Sequence, residues 1–409
     1  MRRMAWMSVA MAILFAPNAK VEAGGRENGA PPVSAVVSGN SRFALELYSR
    51  LGATSQDKNL FFSPFSISTA LAMTYGGSHE NTAKQMAAVL HFDALREDLH
   101  ESFSSLIKAG NASGSKEYEL NTANVLWVQQ GHPVKPEYLA LVRDYYQGGF
   151  RPVDLRNPER SSRIINAWVA EKTAGKITGL LQPADIDRST VMVLSNAIYF
   201  KGKWTSRFKT AETASAPFTV SAGKTVSAPL MYQKGRFSYA ATGKLQILEL
   251  PYVGGDLSLL VLLPKNGIDE VGSMLTLPQL REWQAQLRPQ EVEVFLPKFK
   301  VETRISLKNT LAAMGMADAF SEKDADFSGI MDPSISKIFI NLVIHQAVVE
   351  VNEEGTEAAA STAIGGPLSL SLPPPPAVFR ADHPFVFAIL QKSTGSILFI
   401  GRMCNPMQA

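Results

Sequence analysis

Hydrophobic and polar positions follow two different periods along this chain, and the period changes near its middle. In the first half the spacing is helical. Ser63-Pro64 supplies an N-cap followed by proline at the first helical position, and Ile67, Ala70, Leu71 and Thr74 then share one face until Gly76-Gly77. The same period predicts helices over Thr82–Leu90, Leu95–Lys108, Pro136–Tyr146 and Pro158–Thr173. From Val191 onward the pattern is that of strands. Val191–Phe200 is an almost continuous apolar run, as expected of a strand covered on both faces. Gln246–Pro251 and Leu257–Leu263 flank the turn residues Gly254-Gly255-Asp256, and Glu291–Leu296 begins with strict alternation. Lys337–Val351 reads as one long strand, and Phe385–Leu390 with Ser396–Ile400 forms a hairpin over Lys392-Ser393-Thr394-Gly395. Helices first and strands afterwards, without βαβ alternation, predict an α+β architecture.

One stretch fits neither period. Val351–Gly366 reads VNEEGTEAAASTAIGG: it follows a strand with two glutamates, a glycine and a row of very small residues. Such a segment buries almost nothing where it stands, so its use lies elsewhere.

Composition narrows the class. The 409 residues are 45% hydrophobic and 19% charged, which permits a sizeable core, and no internal repeat or long linker follows Asn40. A single domain over 40–409 is expected. The formal net charge is only +3 and no block of like charges stands out, so nucleic acid is not an expected partner. With one cysteine, Cys404, no internal disulfide can form. At the N-terminus, Arg2 and Arg3 precede an apolar run from Met4 to Phe15, and Val21-Glu22-Ala23 suits cleavage before Gly24. Residues 1–23 therefore read as a signal peptide and 24–39, rich in Gly, Pro and Ser, as a flexible leader. Secretion, extracellular or periplasmic, is the expectation.

Catalytic motifs are missing. The chain has no G-x-S-x-G elbow, no H-E-x-x-H helix and no Gly-rich phosphate loop. Ser-x-x-Lys recurs at Ser55, Ser105, Ser113, Ser206, Ser221 and Ser334, a scatter that marks chance. None of the six histidines pairs with another at metal-ligand spacing, and His345, which interrupts an apolar strand, reads as a buried, hydrogen-bonded side chain. Neither an enzyme nor a metal or cofactor is expected.

Several ordered motifs resemble those of the serpins, a family of serine protease inhibitors, from roughly Asn40 to Pro406. They are Asn59–Ile67, Asn166–Val169 with Thr173–Ile177, Leu194–Trp204, Leu296–Phe299, Leu311–Phe320 with Asp326–Ile330, Asp382–Phe387 and Gly401-Arg402. The resemblance implies three β-sheets, eight or nine helices and an exposed reactive loop, here about 353–379, that inserts into the largest sheet after cleavage. It implies a suicide-substrate inhibitor of serine proteases that ends in a covalent complex. Cysteine proteases are a secondary target class, and the protein is a monomer able to polymerise by loop–sheet insertion. By the same resemblance Ser63, Ser66, Asn196 and His345 form a shutter under the sheet's centre, while Trp204, Lys298 and Glu353 form the breach where insertion begins, with an ion pair between Lys298 and Glu353.

The residues of the loop permit insertion. Counted with period two, Thr356, Ala358, Ala360, Thr362 and Ile364 share one face, and Glu357, Ala359, Ser361, Ala363 and Gly365 the other. Neither a charge nor a large ring lies on the first face. The only charge, Glu357, lies on the second; Gly355 gives a permissive hinge, and no proline interrupts the run before Pro367. The hinge (Glu353, Gly355, Thr356, Ala358, Ala359, Ala360, Thr362) therefore favours an inhibitor over the alternative, a non-inhibitory serpin acting as carrier, chaperone or storage protein.

For the scissile bond, family spacing points to Ser369-Leu370, within the candidates Leu368, Ser369, Leu370 and Ser371. Gly366–Ser371 contains no Lys or Arg, so elastase-, chymotrypsin- or subtilisin-like proteases are expected rather than trypsin-like ones. Pro373–Pro376 follows, four prolines that favour a stiff extended segment. The region matching the heparin-binding helix of some serpins, Asp93–Lys108, carries no basic stripe, so no heparin site is expected. Asn111-Ala112-Ser113 is a glycosylation sequon.

Overall fold

A computed structural model describes residues 33–55, 57–93, 98–112, 118–354 and 375–408. Hinge residues Gly355 to Thr362 and all four scissile candidates lie outside the described residues, as do the signal peptide and the greater part of the leader. Residues Pro31–Ala409 form one compact unit.

Nine α-helices are present among the described residues: α1 (Val33–Thr54), α2 (Pro64–Tyr75), α3 (Glu80–Leu90), α4 (Leu99–Ala112), α5 (Pro136–Tyr146), α6 (Pro158–Lys172), α7 (Ile268–Met274), α8 (Leu277–Gln286) and α9 (Lys308–Met314). The first strands are β1 (Leu60–Phe62), β2 (Tyr118–Gln129), β3 (Phe150–Val153), β4 (Met192–Gly202), β5 (Ala214–Ser221), β6 (Lys224–Ala241) and β7 (Leu245–Pro251). Seven more follow: β8 (Leu257–Pro264), β9 (Arg288–Pro297), β10 (Phe299–Ser306), β11 (Leu342–Val351), β12 (Ala377–Arg380), β13 (Phe385–Gln391) and β14 (Ser396–Met403). The class is α+β.

Helix boundaries have local causes. The Ser63 hydroxyl accepts the Ser66 N–H at 3.1 Å and Pro64 occupies the first turn, so α2 starts where its cap is. Asn157 caps α6 in the same way by accepting the Arg160 N–H at 3.1 Å. Helix α1 corrects the sequence reading: the leader does not run to Gly39, because the helix begins at Val33 and buries Val36 and Val37. Gly39 is there for packing. A Cβ at that position would meet the His91 carbonyl oxygen at 2.7 Å.

The strands form two hydrogen-bonded sheets. Five strands in the order β10-β11-β4-β2-β3 make one, and the other runs β1-β14-β13-β8-β7-β6-β9-β12, with β5 also paired to β6. The resemblance implies three sheets; the 18-residue β6 joins two of them, bonding β7 through Ser238–Ala241 and β9 along Leu230–Tyr239. Two other expectations change. Strand β2 precedes the helices α5 and α6, and the predicted strand Lys337–Val351 starts only at Leu342, since Asn341 turns its side chain to the Val191 and Met192 N–H groups at 3.0 and 3.2 Å.

Both faces of the five-stranded sheet are covered. On one side, α2 and the β13–β14 region pack against it, and on the other α6 and the segment after it supply Ile165, Val169, Ile177, Leu180, Leu181 and Ile186. That sheet carries the candidate site.

Candidate functional site

The site is a seam between two strands. β4 and β11 run parallel, paired over eight residues from Leu342 and Val193 to Val349 and Phe200, while their outer neighbours β2 and β10 are antiparallel to them. Parallel ladders are slightly weaker per residue than antiparallel ones, and apart from the short β2–β3 pairing at the sheet's edge this is the one parallel ladder of the sheet, set between its central strands.

Polar side chains close the middle of the seam. Register places Asn124 of β2 beside Asn196 of β4 and Asn196 beside His345 of β11, a row across three strands. Asn196 Nδ2 donates to Ser66 Oγ at 2.7 Å and to Asn124 Oδ1, and Ser66 Oγ donates to Asn124 Oδ1 at 3.0 Å. The Ser63 backbone N–H donates to His345 Nε2 at 3.2 Å, so the ring proton sits on Nδ1 and is donated to Asn196 Oδ1. His345 is completely buried and is kept neutral: burial pushes its pKa down to about 3. The Ser63 hydroxyl itself donates to the Leu398 carbonyl at 2.7 Å, tying α2 to β14. A cavity of about 420 Å³ opens beside this row, bordered by Ser66, Asn124, Met73, Tyr146 and Trp168.

A different arrangement closes the end of the seam where β11 stops. Trp204 stacks on Tyr252 with ring centroids 4.5 Å apart and donates its Nε1–H to the Asn352 carbonyl at 2.8 Å. The fit is close, since a Cβ on Gly202 would meet the Tyr252 ring at 2.4 Å. Glu353 is only 7% exposed and lies 2.9 Å from Lys298 Nζ, with the Thr213 hydroxyl donating to it at 3.0 Å. Burial raises its pKa, but Lys298, its own N–H and the Thr213 hydroxyl outweigh that, and the carboxyl sits below the ordinary carboxylate range. Glu354 pairs with Lys201 Nζ at 2.9 Å, itself 3.8 Å from Glu350.

A third contact crosses the opposite face. Arg304 of β10 donates Nε to the Leu180 carbonyl at 2.7 Å and pairs with Asp185, holding the segment that leads from α6 into β4. That segment covers Ala197 and Tyr199 of β4 and Ile344 and Val348 of β11.

Ser63, Ser66, Asn196 and His345, far apart in the sequence, thus meet in one network, and Lys298 and Glu353 meet in one ion pair. Trp204 reaches the neighbouring Asn352 rather than Glu353. Asn124, Thr213, Tyr252, Lys201 and Glu354 join the site without having stood out in the sequence. A signal for Asn124 is present there: an asparagine just before the apolar run Val125–Val128 is the kind of polar interruption that marks His345.

Comparison with known proteins decides the family. The sequence model described as serpin (serine protease inhibitor) matches residues 38–406. This chain belongs to the serpin family. It is 42% identical over 380 residues to the leukocyte elastase inhibitor A of Mus musculus, a match covering 90% of this chain and 99% of that one. The leukocyte elastase inhibitor of Homo sapiens is 40% identical over 383 residues, again covering 90% and 99%. Among solved structures, uncleaved ovalbumin superposes with a TM-score of 0.82 at 32% identity, covering 91% of this serpin and all of that chain. Maspin reaches a TM-score of 0.84 at 28% identity, covering 91% and 99%. The fold is that of the serpins, a family of inhibitors rather than catalysts.

Proposed function

We propose that this serpin traps serine proteases as a suicide substrate and that the β4–β11 seam is where its cleaved loop inserts. One observation carries the reading: two parallel central strands are closed by side-chain locks, and one of them, β11, leads through Asn352–Glu354 to a segment of small residues. A strand that turns back after β11 runs antiparallel to β11 and therefore to β4. Insertion then exchanges one parallel ladder for two antiparallel ones.

The chemistry belongs to the protease. Its serine Oγ attacks the loop carbonyl, the peptide amine leaves with a proton from the catalytic histidine, and an ester joins the two proteins. The loop then enters the seam with the protease attached. The 14 residues from Thr356 to Ser369 span about 45 Å when extended, and the pull distorts the protease's oxyanion hole so that water does not complete hydrolysis.

In this mechanism the Asn124–Asn196–His345 row with Ser63 and Ser66 is the shutter, and the Trp204–Asn352 and Lys298–Glu353–Thr213 contacts form the breach. Each must open for the loop to pass. Targets are elastase-, chymotrypsin- or subtilisin-like, a reading supported by the lack of Lys and Arg in Gly366–Ser371 and by relatives named leukocyte elastase inhibitor. The same trap extends to cysteine proteases, whose acyl-enzyme is a thioester. Arg2 and Arg3, the apolar run Met4–Phe15 and the small-residue site before Gly24 support reading residues 1–23 as an export signal and the protein as secreted.

The test is direct: mix the chain lacking residues 1–23 with one protease of each class and run denaturing gels with mass spectra. A complex that survives boiling, with a released peptide starting at Ser369, Leu370 or Ser371, is the expected result. Cleavage without any complex across the panel overturns the trapping mechanism in favour of a non-inhibitory serpin.

A further inference from the structure

Strand β12 begins at Ala377, directly beyond the reactive segment, and pairs in parallel with β9, which pairs with β6. Register aligns outward-facing side chains in rows. Tyr232, Phe295 and Arg380 make one row, and Lys234, Glu293 and Val378 the next. The alternate residues Val292, Val294 and Phe379 point the other way and are buried.

The first row is a rigid platform. Tyr232 and Phe295 rings lie 4.9 Å apart, and the Arg380 guanidinium sits 4.6 Å from the Phe295 centroid. The Arg380 side chain is 41% exposed, and among the described residues its only carboxylate partner is Asp382, 3.2 Å from Nε. Beside it, Val378 is 49% exposed, one of five exposed large hydrophobic residues among the described residues. An aromatic floor beside an arginine with a free donor edge combines residue types enriched in protein–protein contacts, and the exposed Val378 adds apolar area next to them.

We infer that this face of β6, β9 and β12 is a docking platform for the target protease, touching a surface loop that offers an acidic side chain to Arg380 and an apolar one to Val378. The inference rests on the inhibitor reading above. Distance favours the protease as occupant. From Ser371 to Ala377 the chain extends at most about 22 Å and from Leu368 about 32 Å, while a domain of about 200 residues has a radius of gyration of about 16 Å. A protease holding any candidate bond therefore has its own surface within reach of β12.

The test compares intact protein with a synthetic peptide spanning Thr356–Ala377, using elastase-, chymotrypsin- and subtilisin-like proteases. The readout is the second-order rate constant for attack on the loop, whether attack ends in cleavage or in a complex. For the triple variant Tyr232→Ala, Val378→Ser, Arg380→Ala, a fall of at least tenfold with one of the proteases is expected, with the partition between complex and cleaved product unchanged. Arg380→Ala alone accounts for a large part of the fall, and a melting temperature close to that of the parent excludes misfolding as its cause. A change below threefold with every protease overturns the platform, as does a parent protein attacked no faster than the peptide. If the parent is cleaved but never trapped, the inhibitor mechanism fails while the rates still decide the platform.

Discussion

The middle and the end of the seam are secured by opposite means. At the middle the lock is neutral and dry: Asn124, Asn196, His345 and Ser66 exchange hydrogen bonds, and His345 carries no charge. At the end it is ionic and half wet, with Lys298 47% exposed against a nearly buried Glu353. A neutral buried network loses most when one member is removed, because its partners are left unsatisfied. An ion pair whose lysine is half exposed gains less at equilibrium and is screened by salt. The first therefore sets how stable the closed sheet is, and the second how readily it starts to open.

The contrast matters only if the loop travels through the seam, and the largest expected effect tests that. Thr356→Arg places a charge on the face that must enter the sheet core. The variant is expected to be cleaved at the parent rate but to lose trapping, with the number of inhibitor molecules consumed per protease rising at least tenfold. Titration of protease activity against added serpin measures it; unchanged stoichiometry breaks the insertion mechanism.

Next comes the neutral lock. Asn196→Ala removes the acceptor for His345 Nδ1–H and the donor to Ser66 and Asn124, leaving buried groups unsatisfied at about 1–3 kcal/mol each. The expected loss is about 2–4 kcal/mol, read as a lower urea midpoint, together with polymers at temperatures where the parent stays monomeric. Equal midpoints for parent and variant remove the network from any role in closing the sheet.

Acid gives a smaller, graded version of the same break. His345 titrates near 3 when folded and near the ordinary 6.5 when unfolded, so between those values the unfolded chain binds the extra proton. Its stabilising contribution is complete above about pH 6.5 and is lost as pH falls, at up to about 1.4 kcal/mol per pH unit. His100, lowered to about 4 by burial, adds a parallel loss, so the measurement is the difference between parent and His345→Gln. That difference is expected to shrink as pH goes from 7 to 5. A constant difference shows that His345 is not held neutral.

How much of this is legible in the sequence follows from the same physics. Helices α2, α5 and α6 carry side-chain caps or a first-turn proline and α3 has a clear apolar period, and the sequence places all four to within two residues at each end. It does not predict β2, whose first half, Tyr118 to Asn124, mixes polar and apolar residues without a clean period. Strand β6 escapes for a similar reason: its 18 residues serve several partners, so no single face stays apolar along its length. At the site, residues within family motifs are legible, whereas Asn124, Thr213 and Tyr252 gain meaning only from strand register and ring stacking. Arg304 belongs with these: its partners Leu180 and Asp185 are more than a hundred positions away, and no local pattern links them.

The smallest equilibrium effect is expected at the ionic lock. Lys298→Met leaves Glu353 with the Thr213 hydroxyl and its own N–H, and because Lys298 is half exposed the loss is at most about 1 kcal/mol. Kinetics is where this lock differs from the neutral one. Opening at the end of β11 requires Glu353 to move away from Lys298, so removing the pair is expected to speed spontaneous conversion to polymer or inserted monomer several-fold, while the melting temperature shifts by a degree or two. Raising salt from about 0.05 to about 1 M should speed the parent more than the variant, since only the parent has the Lys298–Glu353 pair to screen, while the Lys201 pairs with Glu350 and Glu354 are common to both. Asn196→Ala should instead show equal salt dependence with the parent, because its missing contacts are neutral. If Lys298→Met and Asn196→Ala respond alike to salt, the two ends of the contrast collapse into one lock, and opening must begin at a point along β11 common to both.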